Sequence, residues 1–162
     1  MISSALLNQI QFTARVFGNN EGFAGKGNGK IISESSNCSV ITCNMYDLKG
    51  RRLDFLDDTV NLNISDAKIL IIGVTGATAL ANEFYHLYGI HVKEPQEEIR
   101  RVLGEYEKTS YDLLVILSHL GLTGDKELAS KFRNIHVIIG GHSHTVLEEP
   151  AEPSILVWRS LG

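Results

Sequence analysis

The sequence predicts an α/β domain built as a layered sheet, and three observations carry that expectation. Short β-branched apolar runs alternate with stretches of helical periodicity, the pattern of strands covered by helices. Two of those runs, at 112–118 and 135–139, stop where a histidine or a glycine pair begins, as strands do at the carboxyl edge that open α/β sheets use for binding. The chain has 162 residues of which 43% are hydrophobic, enough to bury one sizeable core, so a single domain over 1–162 is expected.

The elements follow in order. Residues 1–14 are weakly helical in pattern, with Leu6, Leu7, Ile10 and Ala14 on one side. Ala14 to Phe17 reads as a short strand leading into a Gly18-Asn19-Asn20 loop. Gly22, Gly25, Gly27 and Gly29 with Lys26 among them suggest a flexible connection; a phosphate-cradling role is the alternative, but no Gly-Lys-Ser/Thr ending supports it. Ser39 to Cys43 reads as a strand, and Lys49-Gly50 as a turn. Val60, Leu62 and Ile64 alternate with polar residues, which indicates an edge strand or hairpin arm. Residues 68–74 form a buried strand ending at Thr75-Gly76, and a helical pattern follows over 80–88. Pro95 at a favoured first helical position, with Glu97 and Glu98 in the first turn, opens a better helix whose apolar face is Ile99, Val102, Leu103 and Tyr106. A strand over 112–118, a short helix near 125–132, a buried parallel strand over 135–139, a Pro-bounded loop over 148–153 and a last strand from Ile155 to Trp158 complete the reading. There is no internal repeat.

Composition narrows the partners. The net charge of −4 and the absence of a basic stripe argue against a nucleic-acid polymer. Apolar runs are far shorter than a membrane span, and the N-terminus lacks a basic n-region with an apolar core, so neither a membrane nor an export signal is expected. Cys38 and Cys43 on one strand would lie about 16 Å apart, too far for a disulfide. Two unpaired cysteines favour a reducing compartment, and the cytoplasm is the expected location.

The chemistry sits in two stretches. In Ile139-Gly140-Gly141-His142-Ser143-His144-Thr145 an apolar strand ends at two glycines and two histidines. Imidazole is the commonest metal ligand near neutral pH, and two on a tight loop reach one metal or two adjacent ones; a polar turn that happens to hold two histidines is the plainer alternative. In Leu117-Ser118-His119-Leu120-Gly121 a second strand also ends in a histidine followed by a glycine. A core histidine sits within an apolar run, not where two runs stop. His136, inside an apolar strand, is read as a hydrogen-bonded core or edge residue, and His86 and His91 as a helix face and a loop.

These motifs, in this order with Gly18-Asn19-Asn20-Glu21 and Cys43-Asn44-Met45-Tyr46-Asp47 before them, resemble those of the calcineurin-like metallophosphoesterases, with the 5'-nucleotidase branch as the nearest match. The likeness runs from about Phe17 onward. It implies part of a layered β-sandwich flanked by helices, and hydrolysis of a small phosphoester or nucleotide at two divalent ions (Mn, Zn, Fe or Co) that activate water for in-line attack on phosphorus. Carried over by position, Asn19, His119 and His142 would hold one metal and His144 would face the other; Asn19 as a plain turn residue is the alternative.

The departures are as informative. Residues 1–17 contain no aspartate, glutamate or histidine, so the family's Asp-x-His and Gly-Asp ligands, the bridging carboxylate included, have no counterpart there. Histidines without a carboxylate leave two close divalent ions poorly neutralised. The family's proton-donating histidine is replaced by Asn20 and its orienting aspartate by Phe23. Asn20 can donate a hydrogen bond but not a proton, and loss of such a group typically costs ~10²–10⁴ in rate. The rest of the sandwich and a nucleoside-gripping domain are expected to lie outside this sequence. The reading is therefore a metal-dependent phosphoester hydrolase incomplete as this chain alone. The alternatives are an inactive metal-binding or interaction module of the same fold, and a site completed by a complementing N-terminal chain.

Overall fold

The computed structural model describes residues 8–76, 78–107, 110–145 and 156–159. Its centre is a five-stranded sheet ordered β4-β5-β7-β8-β9, with β4 Thr59–Ile64, β5 Ala67–Thr75, β7 Leu113–His119, β8 Val137–Gly140 and β9 Leu156–Arg159. The hairpin arm β4 is antiparallel to β5, and the remaining neighbours run parallel. Between those strands lie α3 (Ala79–Leu87), α4 (Pro95–Gly104) and α5 (Gly121–Lys131). They supply the long crossovers that parallel pairing requires. Two small pairs complete the strands: β1 (Ala14–Val16) is parallel to β2 (Ser39–Ile41), and β3 (Met45–Asp47) is antiparallel to β6 (Ile90–Val92). Helices α1 (Asn19–Phe23) and α2 (Gly25–Glu34) follow β1.

Alternation along β5 explains the layering. Leu70, Ile72 and Val74 point to one face and are fully buried against Ile99 and Val102 of α4, Leu128 of α5, and Leu114, Ile116 and Ile138 of the neighbouring strands. On the other face, at Gly73, the chain of Ile41 crosses so closely that an added Cβ would stand 2.5 Å from the Ile41 carbonyl oxygen. A second buried cluster, Phe17, Val40, Met45, Leu53, Tyr85 and Ile90, forms where α3 and the small strand pairs meet. Each fully buried aliphatic or aromatic side chain contributes about 1.5–3 kcal/mol of transfer free energy.

Most of the predicted elements are present, and some differ. The glycine-rich stretch is helical rather than a flexible connection: α2 begins at Gly25 and runs through Gly27 and Gly29. Gly29 is a packing position, since a Cβ there would come within 2.8 Å of the Phe17 ring, and Gly25 takes a φ of +86°. The helix expected near 125–132 starts earlier, at Gly121, whose φ of +83° permits the abrupt turn out of β7. Strand β8 is buried on one side only, leaving Ile139 41% exposed. His91 lies in β6 and not in a loop. His136 lies directly ahead of β8 and not inside a strand; it is exposed, and its Nδ1 accepts from the Leu114 amide at 2.9 Å. Both cysteines are free. The weak helical pattern over 1–14 is not followed where it is described, since residues 8–13 form turns and irregular chain and Ala14 opens β1. Residues 1–7 and the predicted loop over 148–153 lie outside the described residues.

Candidate metal centre

Parallel pairing of β7 with β8 carries their carboxyl ends to the same edge, in the register Ser118 opposite Gly140. His119 is the last residue of β7, and His142 comes two residues after β8. The Gly141 amide donates to the Ser118 carbonyl at 2.9 Å, which folds the loop back over β7. The two imidazoles end 4.9 Å apart centroid to centroid, edge on. His142 and His144 both adopt positive φ, +77° and +49°. Non-glycine residues rarely take that conformation, and such local strain concentrates at ligand sites.

The third member arrives from the far end of the sequence. Asn19 opens α1, where the Gly18 amide donates to Glu21 Oε2 at 3.1 Å. His119 Nε2 lies 2.6 Å from Asn19 Oδ1 and 3.2 Å from His142 Nδ1. A carboxamide oxygen only accepts, so the proton of this arrangement sits on His119 Nε2. That proton faces the oxygen of Asn19 and Nδ1 of His142, and moving it to His119 Nδ1 would leave Nε2 with a lone pair for a metal ion. Cis donors about 2.1 Å from a divalent ion are about 3.0 Å apart. His119 Nε2 stands within a few tenths of an ångström of that spacing from each of the other two atoms, at 2.6 and 3.2 Å.

Two pockets flank the trio. The first, about 430 Å³, is lined by Asn19, His119 and His142 at one end and by Phe23, Thr78, Ala81 and Tyr85 at the other. The second, about 210 Å³, lies beside Val16, Gly140 and Gly141, and it is the one His144 reaches along with His119 and His142. Thus Asn19, His119 and His142 come together, and His144 lines the neighbouring pocket. Asn20 is exposed, and its Oδ1 takes only a long 3.5 Å contact from the Asn19 amide. Phe23 stacks on Tyr85 with centroids 4.8 Å apart, an apolar contact where the resembled family has a carboxylate. Among the described residues, no three His, Cys, Asp or Glu side chains gather as a metal-binding group.

Residues around the trio do work that the sequence did not reveal. Gly18 is needed for space: a Cβ there would lie 3.0 Å from His119 Cε1. Asn44 clasps the end of β5, donating to the Thr75 carbonyl at 2.6 Å and accepting from the Thr75 amide at 3.0 Å. The Thr75 hydroxyl in turn donates to the Phe17 carbonyl, directly ahead of Gly18. The clasp thereby sets where α1 begins, at Asn19, a helix start in place of the expected Gly18-Asn19-Asn20 loop. Ser118 donates to the buried Asp125 carboxylate, anchoring the base of His119 to α5. The Cys43–Asp47 likeness pointed at Asn44 without a role; nothing in the sequence pointed at Asp125.

No protein-family profile matches the chain. A curated relative, an uncharacterized metallophosphoesterase, YunD, of Bacillus subtilis, is 30% identical over 146 residues, which is 89% of this chain and 31% of that protein. The chain therefore spans about a third of the length of this relative. Among solved structures, a calcineurin-like phosphoesterase, YfkN, from Bacillus subtilis superposes with a TM-score of 0.81 at 16% identity, over 97% of this chain and 56% of that one. A 5'-nucleotidase precursor from Thermus thermophilus superposes with a TM-score of 0.78 at 20% identity, over 98% of this chain and 35% of that one.

Proposed function

The chain belongs to the calcineurin-like metallophosphoesterase superfamily, in its 5'-nucleotidase-like branch, and from that premise we propose that it carries the metal-holding half of a divalent-metal-dependent phosphoester hydrolase. The observation that carries this reading is the approach of Asn19 Oδ1 and His142 Nδ1 to His119 Nε2, at 2.6 and 3.2 Å. A divalent ion in that position would polarise a phosphoryl oxygen and lower the pKa of a water nearby. Of the chain's own residues, Asn19 and the two histidines orient it, and His144 serves the adjoining pocket. The wall formed by Phe23, Thr78, Ala81 and Tyr85 shields the body of a small phosphomonoester or nucleotide from water. Asn20, at the leaving-group position implied by the family, holds an oxygen by hydrogen bonding without supplying a proton. A carboxylate bridging two ions has to come from residues other than those at the described site.

The experiment is metal content per chain with Mn²⁺ or Zn²⁺, measured alongside turnover of p-nitrophenyl phosphate and AMP. One equivalent is expected to be lost on His119→Ala or His142→Ala, with turnover of the unsubstituted chain slower than that of a complete dinuclear enzyme by about 10²-fold or more. No metal, or metal indifferent to both substitutions, would overturn the assignment. A second reading, a metal-binding or interaction module without hydrolysis, is favoured by the solvent-exposed Asn20 and the Phe23–Tyr85 stack. It predicts one metal and no turnover, even after mixing with a fragment that supplies Asp-x-His and Gly-Asp.

A further inference from the structure

We propose that His86 and His91 form a second metal site, separate from the one above, for a borderline divalent ion such as Zn²⁺, Ni²⁺ or Cu²⁺, with water completing the coordination. His86 is in the last turn of α3, and His91 is the middle residue of β6. Their facing nitrogens, His86 Nε2 and His91 Nδ1, are 2.7 Å apart, with ring centroids at 5.0 Å. Neither residue lines the pockets of the first site.

The pair is held in place by its surroundings. Asn82, one helical turn before His86, brackets the residue after His91: it donates to the Val92 carbonyl at 2.9 Å and accepts from the Val92 amide at 3.0 Å. The connection is closed by Gly89 at φ +79°, whose amide donates to the His86 carbonyl at 3.1 Å. Helix and strand are thus clamped on both sides of the pair, so little ordering remains for a ligand to impose. In the hydrogen bond one nitrogen offers a proton and the other a lone pair. When the donor ring shifts its proton to its other nitrogen through solvent, both rings stay neutral and two lone pairs face one point. Two neutral imidazoles select Zn²⁺, Ni²⁺ or Cu²⁺ over Mg²⁺ or Ca²⁺, which prefer oxygen. Lys93 opposes a cation here, but its ammonium sits 3.7 Å from the Tyr46 ring centroid and 3.6 Å from Glu98, which engage its charge.

The test uses the full chain carrying His119→Ala and His142→Ala, which removes the first site. Calorimetric titration with Zn²⁺ and Ni²⁺ is expected to show one saturable equivalent, absent with Mg²⁺ and lost on adding His86→Ala or His91→Ala. His86 is exposed, so that variant keeps the fold, as circular dichroism would verify. No saturable binding in the double variant, or binding that survives both further substitutions, would overturn the proposal. Neither result bears on the first site, which is read in the wild-type chain.

Discussion

At the scale of single residues, the histidines were legible and their supports were not. His119, His142 and His144 stand where apolar runs stop, and Gly140-Gly141 marks the turn, so the signal is local. Asn44, Asp125 and Gly18 act through contacts with residues far along the chain, and no spacing rule encodes them. Tyr85 offers a sharp test at this scale. Its side chain is fully buried, its hydroxyl has no hydrogen-bond partner among the described residues, and burial pushes its pKa up to about 12. A buried hydroxyl without a partner costs about 1–3 kcal/mol. Tyr85→Phe is therefore expected to keep the ring packing on Phe23 and raise the melting temperature by a few degrees. A lower melting temperature would mean that the hydroxyl is satisfied by buried water, which the substitution removes.

At the scale of elements, strands were read better than helices. Strands β5, β7 and β8 announce themselves by short β-branched runs. Helix α2 contradicts its own composition, because glycine disfavours helix by about 1 kcal/mol per residue relative to alanine. What holds it is tertiary and conformational: Gly29 packs so closely on Phe17 that a larger residue would have to displace the ring, and Gly25 takes a φ of +86° that favours glycine. Propensity arguments read that stretch as flexible because they see the cost and not the contact. The same close-packing logic applies in the main sheet. A Cβ at Gly73 would press into the backbone of Ile41, 2.5 Å from its oxygen, where neither strand can easily yield. Gly73→Ala is expected to destabilise the fold by about 1–3 kcal/mol, measured by urea unfolding. Gly27→Ala, with open space around it, is expected to be neutral or slightly stabilising.

At the scale of the whole molecule, sheet order and site are one fact. The α/β class followed from alternating periodicities, but the strand order, with β5 between β4 and β7, is set by pairings that leave no trace in local sequence. The candidate centre depends on that order, for Asn19 and His119 meet across a separation of 100 residues. Such a contact has a kinetic meaning. Parallel sheets with long crossovers pair late, because loop closure must precede the contacts that reward it. Any folding intermediate with β7 and β8 paired but β1 undocked would hold two imidazoles and lack the oxygen from Asn19. In stopped-flow refolding of a chain carrying His86→Ala, high-affinity metal capture should rise with the slowest folding phase and never ahead of it. Capture in an earlier phase would mean that β1 docks before the main sheet is complete. On that prediction the candidate site would report the completion of folding, closing only when β1 has met the paired β7 and β8.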